Sequence, residues 1–122
     1  MIEDRDLEEI VGRDIVGVMI NPGSVSLYFN GADGRGGWIL VQCRFVFKTA
    51  AGRIIGNDEF PEFANPLLNC LGKKVVDADF DERKVFTLNF ENKQFLQLIP
   101  EKDGLESYVL HTAQGIIPVI DF

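Results

Sequence analysis

A weak internal repeat constrains the fold of this chain more than any other feature. Two stretches, 10–48 and 70–100, follow one plan: an aliphatic-glycine pair, a short strand, a turn, an alternating strand that ends in phenylalanine, and a third strand. Strict alternation of apolar and polar residues is typical of half-buried β-strands. The sequence therefore predicts two three-stranded antiparallel meanders, which share one core because two copies are too few for a solenoid.

The third strand of the first copy is predicted to be long and continuous. It spans 38–47 and presents a fully apolar face, made of Ile39, Val41, Cys43, Phe45 and Phe47. After the second copy, residues 105–121 predict a closing hairpin that turns at Ala113-Gln114-Gly115. Pro118 lacks an amide donor, which places the last strand at a sheet edge or at a bulge.

Helix is scarce in this sequence. Residues 3–11 predict a short N-terminal helix, and residues 59–71 predict a turn or two of helix interrupted by Pro66. The ten phenylalanines predict a core filled by their rings. The 122 residues suffice for one domain. We predict an α+β fold that is predominantly antiparallel β, arranged as a sandwich or a half-open roll.

The charge of the chain bears on its partners. Twelve Lys and Arg residues against nineteen Asp and Glu residues give a formal net charge of −7. This charge opposes binding to nucleic acid or anionic membranes and favours a cationic partner. The N-terminal residues lack the features of a signal peptide, and no stretch approaches the ~20 apolar residues of a membrane helix. We expect a cytoplasmic protein with reduced, buried cysteines and no cofactor.

Three aspartates at alternate positions form the most conspicuous polar pattern. In a strand, Asp77, Asp79 and Asp81 share one face, with the outer pair roughly 13 Å apart. Calcium needs oxygens within about 2.3–2.6 Å of one centre, so this spacing argues against a metal site. The matching positions of the first copy carry no acid. Two interpretations stay open: a solvated outer face or, with Glu82 and Glu106, an acidic docking surface for a partner.

Two aromatic residues are candidate anchors for a partner. Tyr28 and Trp38 fall on strand faces opposite the apolar ones, and such residues dominate many protein interfaces. Burial under a second layer of structure is the alternative interpretation.

Two further patterns carry little evidence of chemistry. Ser107 and His111 share one strand face roughly 13 Å apart, and the chain has no G-x-S-x-G motif for a nucleophilic serine. We predict a structural or partner-facing role for this histidine. The glycine-rich loop 30–37 lacks the G-x-x-x-x-G-K-[ST] phosphate-binding pattern and is predicted to be a plain hairpin connection.

The second copy and the residues after it follow a recognisable plan. It reads Leu71-Gly72-Lys73-Lys74-Val75-Val76-Asp77-Ala78, then Leu88-Asn89-Phe90, and then Asp103-Gly104-Leu105-Glu106-Ser107-Tyr108. This plan resembles that of small acidic β-rich bacterial immunity proteins of contact-dependent growth inhibition and other polymorphic toxin systems. The resemblance implies a protein that binds a cognate, basic, nuclease-like toxin domain and occludes its active site or an adjacent surface. It implies no catalytic residue, because inhibitors of this kind have none.

These observations rank the possible functions. An immunity protein comes first, with the acidic and aromatic residues named above as its partner contacts. The alternative is a small-molecule-binding module, with a pocket between the two meanders, or another protein-interaction module. An enzyme ranks last because acid, base and nucleophile do not converge in any recognisable motif.

Overall fold

Ten antiparallel strands form two five-stranded sheets in the computed structural model, which describes residues 2–31 and 36–122. The first sheet has the strand order β1-β2-β3-β9-β10, and the second has the order β5-β4-β8-β7-β6. The strands of the first sheet are β1 (Ile15–Asn21), β2 (Ser24–Phe29), β3 (Gly37–Val41), β9 (Glu106–Thr112) and β10 (Gly115–Ile120). Those of the second are β4 (Arg44–Thr49), β5 (Gly52–Gly56), β6 (Val75–Phe80), β7 (Phe86–Phe90) and β8 (Phe95–Ile99). The predicted antiparallel β-rich fold is confirmed.

The repeat contains five strands per copy rather than three. Both predicted meanders are present, as β1–β3 and β6–β8, and so is the closing hairpin β9–β10, whose last strand is an edge strand. The sequence interpretation missed a second hairpin, β4–β5. The β4–β5 hairpin pairs with β8 of the second meander, and β9–β10 pairs with β3 of the first. The two copies therefore exchange their hairpins between the sheets.

The prediction of one continuous strand over 38–47 is wrong. Strand β3 belongs to the first sheet and β4 belongs to the second, and the chain crosses between the sheets at Gln42 and Cys43. The Gln42 N–H donates to the Ser107 carbonyl at 2.8 Å across this crossing. All five residues of the predicted apolar face are nevertheless fully buried. The segment passes from one sheet to the other, and both sheets face the same core.

The two copies meet at a pair of equivalent turns. The Gly12 N–H donates to the Val75 carbonyl at 2.7 Å, and the Gly72 N–H donates to the Ile15 carbonyl at 2.8 Å. Both glycines have positive φ angles, +87° and +81°, which residues with a side chain rarely adopt. Since each bond has its counterpart in the other copy, the repeat in the sequence is also a structural duplication.

One short helix precedes each copy. Helix α1 (Asp4–Ile10) packs against β6, and a 3-10 helix (Pro61–Cys70) packs against β1, β4 and β5. Both were predicted, but the second continues through Pro66, because the fixed φ of proline suits a 3-10 conformation. No helix within the described residues has the length and apolar character to cross a bilayer.

Aromatic side chains from both sheets fill the space between them. Five of the ten phenylalanines are buried there: Phe29, Phe45, Phe47, Phe86 and Phe90. Tyr108 is also fully buried, and its hydroxyl donates to the Lys84 carbonyl oxygen at 2.6 Å. Burial raises the pKa of this tyrosine well above its usual value. This contact ties the first sheet to the turn between β6 and β7.

Candidate partner-binding surfaces

The seven predicted contact residues lie on three surfaces. Asp77 and Asp79 lie on the outer face of the edge strand β6, Tyr28 and Trp38 lie on the outer face of the first sheet, and Asp81, Glu82 and Glu106 lie at one end of the sandwich. The five acidic residues are exposed, Trp38 is exposed, and Tyr28 is half-buried. The structure therefore separates the predicted aromatic anchors from the predicted acidic contacts.

One end of the sandwich is where the chain passes between the sheets, at 42–43 and again at 100–105. We call it the crossover end. The register of the second sheet places the turn after β6 at this end, together with the start of β4 and the end of β8. Strand β9 also begins there. Segments that are far apart in the sequence thus come together at this end.

An open cleft of about 630 Å³ lies at the crossover end. Its described lining residues include five carboxylates and the guanidinium of Arg44. The five carboxylates belong to Asp58, Glu59, Glu101, Asp103 and Glu106. We call this feature the acidic cleft. Only Glu106 among its carboxylates was predicted as a contact residue.

Two groups at the acidic cleft have raised pKa values. Burial raises the pKa of the Asp58 carboxyl, and repulsion from Glu59 raises it further. Burial also raises the pKa of the neighbouring Cys43 thiol to about 12, and the charges of Asp58 and Glu101 add to this effect. Burial disfavours a charge of either sign, but the added repulsion from Asp58, Glu59 and Glu101 shows that carboxylates crowd this cleft, and such a cluster favours a cation. Lys and Arg side chains of a protein partner are such cations.

Asp81 shapes its own turn. One oxygen of its carboxylate, Oδ1, accepts hydrogen bonds from the N–H groups of Arg83 at 2.8 Å and Val85 at 3.0 Å. Aspartate side chains commonly organise turns in this way. Since β6 ends one residue before Asp81, the predicted stripe of three aspartates reduces to Asp77 and Asp79 within the strand.

Tyr28 and Trp38 belong to an aromatic row that crosses the first sheet. Trp38 pairs with Tyr28 on one side and with His111 on the other. The indole stacks on the imidazole, with ring centroids 4.2 Å apart and planes at 17°, and lies 6.3 Å from the phenol ring. Trp38 is 39% exposed and Tyr28 is half-buried, so both rings lie on the outer side of the first sheet.

Ser107 and His111 each have a structural contact. Ser107 is buried, and its hydroxyl oxygen accepts the Glu101 N–H at 3.0 Å, while His111 stacks in the aromatic row. Within residues 2–31 and 36–122, no group of three His, Cys, Asp or Glu side chains could hold a metal ion. Residues 32–35 of the glycine-rich loop lie outside the described residues, so its interpretation as a plain connection stays a prediction.

Sequence reasoning missed four of the five cleft carboxylates, two of them because it missed the β4–β5 hairpin. Two of the four follow that hairpin, and the other two lie in the second crossing between the sheets. A signal for the hairpin was present in the sequence. The turn Thr49-Ala50-Ala51-Gly52 matches Thr112-Ala113-Gln114-Gly115, the turn of the predicted closing hairpin.

No protein-family model, no curated protein and no solved structure matches this chain.

Proposed function

We propose that this protein is a cytoplasmic immunity protein that binds a basic toxin domain through the acidic cleft. The observation that carries the proposal is the convergence of five carboxylates on one cleft, in a chain of net charge −7. A domain that acts on nucleic acid needs a basic substrate groove, because the phosphate backbone dominates its affinity. An acidic surface is steered quickly onto such a groove and can occlude it.

The form of the cleft supports a protein partner over a small apolar ligand. Small-molecule pockets are typically lined by apolar and aromatic side chains that enclose the ligand. The acidic cleft is open and polar, so it suits Lys or Arg side chains that project from a larger surface. The space between the sheets, where a ligand pocket was the alternative, is filled by core side chains.

The other acidic residues are expected to affect association to different extents. Asp81 and Glu82 share the crossover end with the acidic cleft and extend its negative surface. Asp77 and Asp79 lie on the outer face of the second sheet, and screening limits their effect on charges beyond ~8 Å at physiological ionic strength. We therefore expect the acidic cleft to dominate association.

Association kinetics with matched variants test the proposal. The test takes as partner a toxin domain found encoded beside the gene for this chain, and it measures stopped-flow association at low and physiological salt. Glu101→Gln with Glu106→Gln removes two cleft charges, while Asp77→Asn with Asp79→Asn removes two charges elsewhere. We expect the cleft variant to associate about tenfold more slowly at low salt, and the control within about twofold of wild type, since steering depends on local charge.

The possible outcomes test the binding site and the immunity function separately. Equal slowing by both variants would show that net charge, and not the acidic cleft, drives association. Association of the cleft variant at the wild-type rate would remove the cleft from the interface. If the toxin domain does not bind, and co-expression of this protein does not restore growth of cells that produce the toxin, the immunity function itself is refuted.

A further inference from the structure

The outer face of the first sheet lacks charged side chains along two adjacent cross-strand rows. One row runs from Gly17 on β1 to Ile116 on β10, and the other runs from Met19 to Pro118. None of the ten residues in these rows is Asp, Glu, Lys or Arg. We call this surface the aromatic face, and its main side chains are Met19, Tyr28, Trp38, Leu40, His111 and Ile116. Among them, Ile116 is 68% exposed and Met19 is 50% exposed.

The duplication provides an internal comparison for the aromatic face. On the second sheet, the two equivalent rows carry Asp77 and Asp79 at one edge and Lys48 and Arg53 towards the other. Phe95 occupies the position that corresponds to Trp38 on the central strand. The same scaffold thus tolerates four charges where the first sheet has none. Folding alone does not account for the composition of the aromatic face.

The aromatic face is also held rigidly. Trp38 stands on the central strand of the sheet, where its ring stacks on His111 and lies beside the tilted ring of Tyr28. A contact surface made of side chains that are already ordered loses little conformational entropy when it binds.

We infer that the aromatic face binds a second copy of this chain and forms a symmetric dimer. Two molecules of net charge −7 repel each other, so they approach closely only through a surface without carboxylates. Pairing of the aromatic faces keeps Asp77 and Asp79 of one protomer about 30 Å from those of the other, for sheets stacked at ~10 Å. This separation exceeds the ~8 Å Debye length at physiological salt. A basic partner finds no carboxylates here and is drawn to the acidic cleft instead.

The aromatic face is small for a protein interface. Five strands ~4.8 Å apart, each about 17–24 Å long, give a face on the order of 450 Å². Stable specific complexes bury about 800 Å² per partner. We therefore expect a weak and reversible dimer. This inference does not depend on the proposed toxin binding, because the acidic cleft lies on a different surface.

Sedimentation velocity over a concentration series tests the inference on the full chain. From about 1 to 500 μM protein, the mass is expected to rise from one protomer towards two. Trp38 is the only tryptophan, so its emission reports directly on the aromatic face and should shift to the blue as the dimer forms. High salt should strengthen the dimer, because it screens the repulsion between the two acidic protomers.

Two outward isoleucines on edge strands provide matched variants. Ile116 on β10 and Ile55 on β5 are 68% and 69% exposed, and replacement of either by glutamate adds the same charge. We expect Ile116→Glu to stay monomeric throughout the series and Ile55→Glu to dimerise like wild type. A wild-type chain that stays monomeric, or dimerises without a change in Trp38 emission, overturns the inference. Dimer formation by a folded Ile116→Glu variant would also overturn the inference.

Discussion

Tyr108→Phe removes one hydroxyl from the core, and the structure indicates how much stability this should cost. Tyr108 occupies the position equivalent to Phe45 in the other copy: each lies on the hairpin strand that borders the third strand of a meander. The scaffold already accepts a phenylalanine ring at this place, so the change should cause no repacking. What it removes is the hydrogen bond to the Lys84 carbonyl, which is 2.6 Å long.

The magnitude follows from the surroundings of both atoms. A hydrogen bond within a protein contributes ~0.5–1.5 kcal/mol net, and a fully buried acceptor left without a partner adds to the loss. Lys84 is only partly buried, so water can reach its carbonyl when the hydroxyl is absent. We therefore expect a loss of about 1–1.5 kcal/mol in the free energy of unfolding. For a chain of 122 residues, this lowers the melting temperature by about 3–6 °C.

Urea unfolding followed by circular dichroism, with calorimetry for the melting temperature, measures this change. Tyr28→Phe is the matched control, because it removes the same hydroxyl from a half-exposed ring and should change stability by less than about 0.5 kcal/mol. A Tyr108→Phe variant as stable as wild type would refute the reasoning that this bond links the sheets. A changed denaturant slope would mean that the variant alters more than one contact.

Three further predictions concern packing, thiols and charge. Gly56→Ala should cost about 1–3 kcal/mol in urea unfolding, because its β-carbon would collide with the Phe63 carbonyl oxygen, whereas Gly17→Ala, with its nearest neighbour at 3.4 Å, should cost little. The two buried thiols, each with a pKa raised by burial to about 12, should react with a disulfide reagent only as fast as the protein unfolds, and faster labelling would contradict their burial. Asp58→Asn should leave the free energy of unfolding equal or higher at pH 7, because the raised pKa means that folding disfavours the charged carboxylate. The advantage of the variant over wild type should shrink as the pH falls through the range of carboxyl titration. A destabilised variant would contradict the direction of the pKa shift.

Alternation along the chain predicts which side chains face the core, but not which sheet holds them. Both meanders and the closing hairpin followed from the period of two and from the turn residues, and the edge strand followed from Pro118. The break in the segment 38–47 could not be predicted in this way. A segment that passes from one sheet to the other across a shared core keeps the same side chains facing that core. The burial pattern of this segment was therefore right, while its assignment to one strand was wrong.

The candidate site was less predictable than the fold, for a related reason. The acidic cleft collects carboxylates from the segments 57–59 and 101–106, and their proximity depends on the exchange of hairpins between the sheets. No local pattern reports this exchange. Asp81 shows a second difficulty, since the sequence cannot distinguish a carboxylate that faces a partner from one that accepts hydrogen bonds within its own turn.

A duplicated scaffold separates what the fold requires from what it only permits. Equivalent positions in the two copies face the same structural demands, so features present in both are explained by folding. Gly12 and Gly72 are such a pair, and so are the inward apolar residues of the paired strands. The outward rows of the two sheets differ in charge, and Trp38 has only a phenylalanine as its counterpart. Because folding leaves these differences unexplained, the surfaces on which the copies diverge are where binding should be sought.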